Sequence, residues 1–256
     1  YPLMMIILSP AKSMDMSITS PLPQGTVPRF QKEAEYIASQ IQDYSRDQLQ
    51  TLLQISNKLT DINYERYQEF DRENTPAKPA ILAYTGNVFQ HIRPETFTQE
   101  DFQYAQKHLR IISTLYGLLR PLDLIKAYRI AFKIKIRGMQ ESNLYEYWRP
   151  KLTEPLIKEA NQDDKIIINL ASLDVLAALQ IEKIQSQVRM ITPEFKELRK
   201  GKYETIRTYA KMARGEMTRY ILLNRIEKPE RIQEFEWDGF RYCAELSEKD
   251  NYVWTR

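Results

Sequence analysis

An α/β (α+β) fold, one domain with a mixed β-sheet flanked by helices, is predicted by three features of the 256-residue chain. Short apolar runs, clearest at residues 4–8 and 165–171 (KIIINLA), have the length of buried strands. Longer segments between them carry apolar residues every three or four positions, the period of amphipathic helices. There are only seven glycines, and no stretch rich in Pro, Gly or Ser divides the chain. That argues against a turn-rich all-β repeat and for a single unit over residues 1–256.

The elements follow in order. Residues 4–8 read as a buried strand stopped by Ser9-Pro10. Pro21, Pro23, Gly25 and Pro28 make residues 13–29 a long loop. Phe30, Ala34, Ile37, Ala38 and Ile41 then form a helical stripe. Helices over about 46–53 and 57–70 complete a helical insertion near 30–72. Residues 81–83 read as a buried strand ending at Gly86. Thr98 and Asp101 resemble a capping box opening a helix to Arg110. Residues 111–115 are strand-like, and Gly117 and Pro121 break the next stretch. Residues 143–161 form a helix interrupted or bent at Pro150 and Pro155. Ser172, just past the 165–171 strand, can cap a helix running through Leu179. Residues 188–191 are a strand, and 188–195 pairs with 203–209 as a hairpin about Gly201-Lys202. Residues 210–225 are an amphipathic helix, and 240–246 and 252–254 are the final strands.

The charge is segregated. Residues 107–137 hold eight basic residues and one acid, Asp123, for +7; residues 196–219 hold eight and three, for +5. The whole chain is only +3, so the remainder carries −9. Segregated positive charge attracts an anionic ligand, and basic residues interleaved with Tyr and small residues suit a phosphate-binding surface. Two solvated amphipathic faces would show the same pattern. The chain has no G-x-G-x-x-G and no G-x-x-x-x-G-K-[ST] motif, so no cofactor is expected. Two histidines, His91 and His108, and the single Cys243 give no metal site and no intrachain disulfide. The apolar run 3–8 is too short to span a membrane and lacks a signal-peptide flank. A cytoplasmic protein is expected, with Met5 a plausible natural start and Cys243 a buried small residue.

Four constellations carry candidate chemistry. On the 210–225 helix, Lys211, Arg214 and Arg219 lie off the apolar stripe, and Gly215 lets a backbone or a ligand come close, a neighbouring strand being the plainer reading. In LYGLLRPLDLIKAYR (115–129), Arg120, Lys126 and Arg129 suit phosphate, and Tyr116 and Tyr128 suit base stacking or a core edge. Residues 49–62 have helix-hairpin-helix spacing with Lys58 directed at a phosphate backbone. Gln54 and Ser56 stand where that motif normally has glycines, which argues against some positive-φ turns there. Lys12, in the loop after the first strand, sits where ligands of α/β sheets collect.

These stretches resemble the YaaA family of bacterial proteins associated with resistance to peroxide stress. The resemblance runs nearly end to end, through ILSPAKSMD (7–15), LQISNKL (53–59), ILAYTGNVF (81–89), LRIISTLYGLLRPLDLIKAYR (109–129), LYEYW (144–148), INLAS (168–172) and YAKMARGEMTRYI (209–221). It implies a cytosolic, mostly monomeric α/β protein with a positively charged cleft. It also implies double-stranded or structured DNA as ligand, a helix-hairpin-helix-like element, and a role in limiting iron-driven damage. It brings no settled reaction. Where relatives often read K-G-D, this chain reads Thr85-Gly86-Asn87; Ala131 and Ala127 replace an often acidic residue and a proline. Any acid–base chemistry of the family is therefore expected to be altered or absent here.

Two readings follow. In the first, Lys12, Lys58, Arg120, Lys126, Arg129, Lys211, Arg214 and Arg219 neutralise DNA phosphates. In the second, the same residues hold a nucleotide or nucleobase-like ligand, and Asp123, Asp174 or Glu216 is the acid–base group.

Overall fold

A computed structural model describes residues 4–162 and 166–256. The chain opens with β1 (Met4–Leu8), buried throughout. A long loop leads to three helices, α1 (Gln31–Gln42), α2 (Arg46–Leu53) and α3 (Asn57–Gln68). The α1 stripe buries Ala34, Ile37, Ala38 and Ile41, as its period requires. Ser45 and Gln48 close a capping box on α2.

Next come β2 (Ala77–Pro79), α4 (Ala80–Ala83), α5 (Asn87–Ile92) and α6 (Gln99–His108). The expected strand at 81–83 is thus a single buried helical turn. Three apolar residues are too few for any period to separate the two conformations. The Thr98–Asp101 capping box on α6 is present. Then follow β3 (Leu109–Ser113), β4 (Gly117–Leu119), β5 (Leu124–Lys126) and α7 (Leu144–Asn161). The last is not interrupted at Pro150 or Pro155. Pro150 and Glu146, whose carbonyl loses its partner, are both exposed, so water can replace that missing bond.

The expected strand at 165–171 appears as β6 (Ile166–Leu170), Lys165 lying outside the described residues. The helix expected to reach Leu179 is instead two short ones, α8 (Leu173–Leu176) and α9 (Ile181–Gln185). The hairpin is β7 (Met190–Arg199) and β8 (Lys202–Glu204), with α10 (Arg207–Leu223) starting earlier than its pattern suggested. Two strands end the chain, β9 (Arg241–Tyr242) and β10 (Asn251–Thr255). Cys243, just past β9, is half-buried rather than buried.

The main sheet has the order β4-β3-β1-β6-β7-β10-β9, with β8 on β7. Its interior strands are parallel; β4, β8 and β9 pair antiparallel. Helices α6 and α7 pack on the β1/β3/β4 side, and α10 packs on β7 and α5. This is the predicted mixed α/β class. Among the described residues no helix is long and apolar enough to cross a membrane.

Candidate functional site

From β1 the chain crosses to β3 on one side, and from β6 to β7 on the other. The switch point therefore lies between the carboxyl ends of β1 and β6, where ligands of open α/β sheets bind. Two serines meet there. The Ser172 N–H donates to Ser9 Oγ at 2.8 Å, and Ser9 Oγ donates to Ser172 Oγ at 3.2 Å. Ser172 is the N-cap residue of α8, yet its side chain makes no capping bond. One strand over, Asn169 Nδ2 donates to Thr192 Oγ1 at 3.2 Å, and Asn169 Oδ1 accepts the Ala171 N–H at 3.1 Å. A hydroxyl directly after each of two buried strands was the available sequence signal, but Ser9 reads alone as a stop and Ser172 as a cap.

The loop after β1 is stitched to its surroundings. Asp15 N–H donates to Ala83 O at 2.8 Å, and Thr85 N–H donates to Ser13 O at 3.0 Å. Gly86 opens α5 at φ +112°, which side chains rarely adopt; an added Cβ would lie an unstrained 3.7 Å from Ala11. Conformation, not crowding, calls for glycine there.

Below this loop lies a chain of buried hydroxyls. Tyr128 OH stands 2.7 Å from Ser113 Oγ and 2.5 Å from Tyr84 OH. Tyr116 OH accepts the Lys126 N–H at 2.9 Å, and Tyr67 OH donates to Arg129 O at 2.8 Å. Burial pushes the Tyr84, Tyr116 and Tyr128 hydroxyls above their ordinary pKa, so they stay neutral. Tyr116 is 1% exposed and Tyr128 3%. Neither offers a ring face to an incoming base, which overturns their base-stacking role. Both instead hold the backbone of residues 113–128.

The three candidate acids separate clearly. Asp123 is fully buried and accepts from Arg120 N–H at 2.8 Å, Arg120 Nη2 at 2.9 Å and the Thr26 hydroxyl at 2.6 Å. It fixes a turn and cannot reach a ligand. Glu216, on α10, accepts from His91 Nδ1 at 3.0 Å and Arg93 Nη1 at 2.7 Å. Burial pushes its carboxyl up, but these partners outweigh burial and hold it below the ordinary range. Asp174, on α8 beside the switch point, is exposed and stands 3.9 Å from Arg207. Of the three it alone is open to solvent next to the paired serines.

The eight predicted cations also divide. Arg120 serves Asp123 and Val27 O. Lys126 Nζ donates to Phe70 O at 2.6 Å and Arg72 O at 2.9 Å. Arg219 Nη1 donates to Ile92 O and Thr96 Oγ1, closing the end of α5. These three are committed mainly to the fold. Among the described residues the side chains of Lys12, Lys58, Arg129, Lys211 and Arg214 have no hydrogen bond or ion pair. Burial lowers the Arg214 pKa, partly countered by Glu194, so its guanidinium is a desolvated cation without a bonded partner.

Four of the five free cations lie on the loop after β1, on the segment bonded to that loop, and on α10. Lys12 lies in the loop after β1. Arg129 follows Tyr128, whose N–H reaches Met14 Sδ in that loop at 3.5 Å. Lys211 and Arg214 lie on α10, which begins beside Asp174 and crosses α5 at Gly215. An added Cβ on Gly215 would fall 2.2 Å from Val88 O, so this glycine admits helix α5, not the strand expected. Lys58 stands in the first turn of α3. The hairpin before it has Gln54 in the left-handed region, φ +53° and ψ +53°, so the turn expected to require glycine forms without it.

A family model described as peroxide stress protein YaaA matches residues 4–246. A UPF0246 protein of Parabacteroides distasonis is 48% identical over 253 residues, covering 99% of this chain and 100% of that one. Another from Bacteroides thetaiotaomicron is 44% identical over 250 residues, 98% and 97% of the two chains. A third, from Clostridium beijerinckii, is 40% identical over 256 residues, 99% and 98%. With the family match running from β1 to beyond β9, the chain belongs to the peroxide stress protein YaaA (UPF0246) family.

Proposed function

We propose that this peroxide stress family member binds duplex or structured DNA through its phosphates, as a cytoplasmic monomer, and so limits iron-driven damage to it. The observation that supports the reading is that Lys12, Arg129, Lys211 and Arg214 are left without internal partners among the described residues. A cation with no partner in the fold costs nothing internal when it turns to an external phosphate. In this reading the hairpin of α2 and α3 adds further phosphate contacts. Arg66 on α3 is close enough to Arg129 for its pKa to feel that charge. Lys58 stands eight residues before it, about 12 Å along the helix. Exposed Lys200 and Lys202, at the β7–β8 turn, add charge beside α10.

The test is binding of the purified protein to a labelled duplex across a salt series, with AMP and ATP as competitors. DNA binding predicts a log–log salt slope of several units, little sequence preference and resistance to mononucleotide. Lys58→Ala and Lys211→Ala should each lower the slope by about one. A second reading, an enzyme acting on a nucleotide or nucleobase-like molecule, is favoured by the gathering of Ser9, Ser172 and Asp174 at the switch point. Negligible duplex binding together with tight, salt-insensitive binding of AMP or ATP would select it.

A further inference from the structure

At the opposite, amino end of the parallel strands lies a cavity of about 240 Å³ lined by Arg29, Arg110, Leu118, Arg120 and Glu159. We propose that it is a binding site for a phosphate or phosphate-monoester dianion, gripped by the three arginines. It does not depend on DNA binding at the carboxyl-end rim.

The charge balance is the first ground. Three guanidinium groups face a single lining carboxylate, Glu159. Arg110 Nε donates to Glu159 Oε2 at 2.8 Å, while Arg29 Nη1 stands 3.7 Å from Oε1. Arg120 is answered from behind by Asp123, and Arg110 and Arg29 share Glu159, so three guanidinium groups against two carboxylates leave one positive charge unanswered at the cavity.

Donor accounting is the second. The Arg110 side chain is only 9% exposed. Its Nε serves Glu159, and its Nη1 serves Gln106 O and Leu109 O, at 2.7 and 2.8 Å. Its Nη2 has no hydrogen bond, yet among the described residues no buried side-chain nitrogen or oxygen lacks a partner. Nη2 is therefore not fully buried, and Arg110 lines the cavity, so this donor is available there to a ligand. Arg120 is alike: Nε and Nη2 are bonded to Asp123 and Val27 O, and Nη1 is left over. Arg29, 48% exposed, contributes its donors from the mouth. A planar fork of N–H donors matches a tetrahedral oxyanion, and a recessed, partly desolvated site strengthens the pairing. Two of the forks are fixed beforehand by bonds to the fold, which lowers the ordering cost of binding. A second groove, about 600 Å³ and also bordered by Arg29, is lined by polar Lys158, Asn161, Gln162 and Gln187 together with Pro155, Ile157 and Glu154, the last paired with Lys183, and has room for the body of a phosphate monoester.

The experiment is thermal unfolding and calorimetric titration of the full chain with inorganic phosphate, against sodium chloride at matched ionic strength. The site predicts a saturable rise in Tm with phosphate that chloride does not reproduce. Arg29→Glu, at the exposed mouth, should weaken binding at least tenfold. Glu159→Gln removes the competing carboxylate, so it should fold less stably alone but bind phosphate several-fold more tightly. The proposal is overturned if phosphate and chloride act alike on the native chain, or if Arg29→Glu binds as the unmodified protein does. Weaker phosphate binding by a folded Glu159→Gln would overturn it as well.

Discussion

At the scale of single residues, Gly215 gives the sharpest expectation. Alanine is the better helix former by about 1 kcal/mol. Here its Cβ would sit 2.2 Å from Val88 O and 2.8 Å from His91 Cβ. Gly215→Ala should therefore lose about 1–3 kcal/mol net in urea unfolding, because the α5–α10 crossing must open to admit a methyl group. Glu216 sets a pH expectation at the same crossing. Its carboxyl is held below the ordinary value of 4.5, so its bonds to Arg93 and His91 stabilise the fold at neutral pH. That contribution is full above the ordinary carboxylate value and fades as pH falls through the lowered one. Glu216→Gln should cost about 1–2 kcal/mol at pH 7, since Arg93 is partly exposed, and the gap to the unmodified protein should close in acid. The buried tyrosines show what sequence alone leaves ambiguous. Tyr116 and Tyr128 have the composition of a stacking platform, but only the fold reveals that their hydroxyls are taken by Lys126 N–H and Ser113.

At the scale of elements, long patterns were legible and short ones were not. The stripe of α1, the Thr98 capping box and the 143–161 helix are all readable, because several turns report one face. The α4 turn, the division of α8 from α9, and the two-residue β9 are set by tertiary packing, which a three- or four-residue window cannot record. The basic stretches teach a related lesson. Charge density draws attention to them, yet Lys126, Lys135 and Arg137 bond to backbone carbonyls of loops and turns, and Arg120 to Asp123 and Val27 O. An irregular connection has carbonyls to satisfy, and a long cation satisfies them from the surface. Two variants separate the classes. Arg219→Ala should lower Tm by several degrees through loss of its bonds at the end of α5, while Lys211→Ala should leave Tm within about a degree. In the α2–α3 hairpin, Gln54→Gly should stabilise by up to about 1 kcal/mol. Relief of a left-handed residue is offset in part by a freer unfolded chain.

At the scale of the molecule, the fold class was legible because the inner strands β1, β3 and β6 are nearly all apolar and helices such as α1 are one-sided. The candidate site was half legible. Lys12 after the first strand anticipates the carboxyl-end rim, but the pairing of Ser9 with Ser172 joins positions 163 residues apart, which no local spacing encodes. The same topology governs how the chain can be built. Strand β1 lies inside the sheet, yet its partners β3 and β6 begin at Leu109 and Ile166. At translation rates of roughly 5–20 residues per second, MMIIL waits about 5–20 seconds for its first neighbour and about 8–30 for its second. Until β3 emerges it is a naked apolar segment with both edges unpaired, and until β6 emerges one edge stays open, the kind of segment that holdase chaperones cover and that self-associates if left alone. Ribosome-bound chains arrested near residue 100 should accordingly be protease-sensitive and chaperone-bound, and resistance should appear only once β6 has emerged. The first strand made is thus exposed long before the sheet can shelter it.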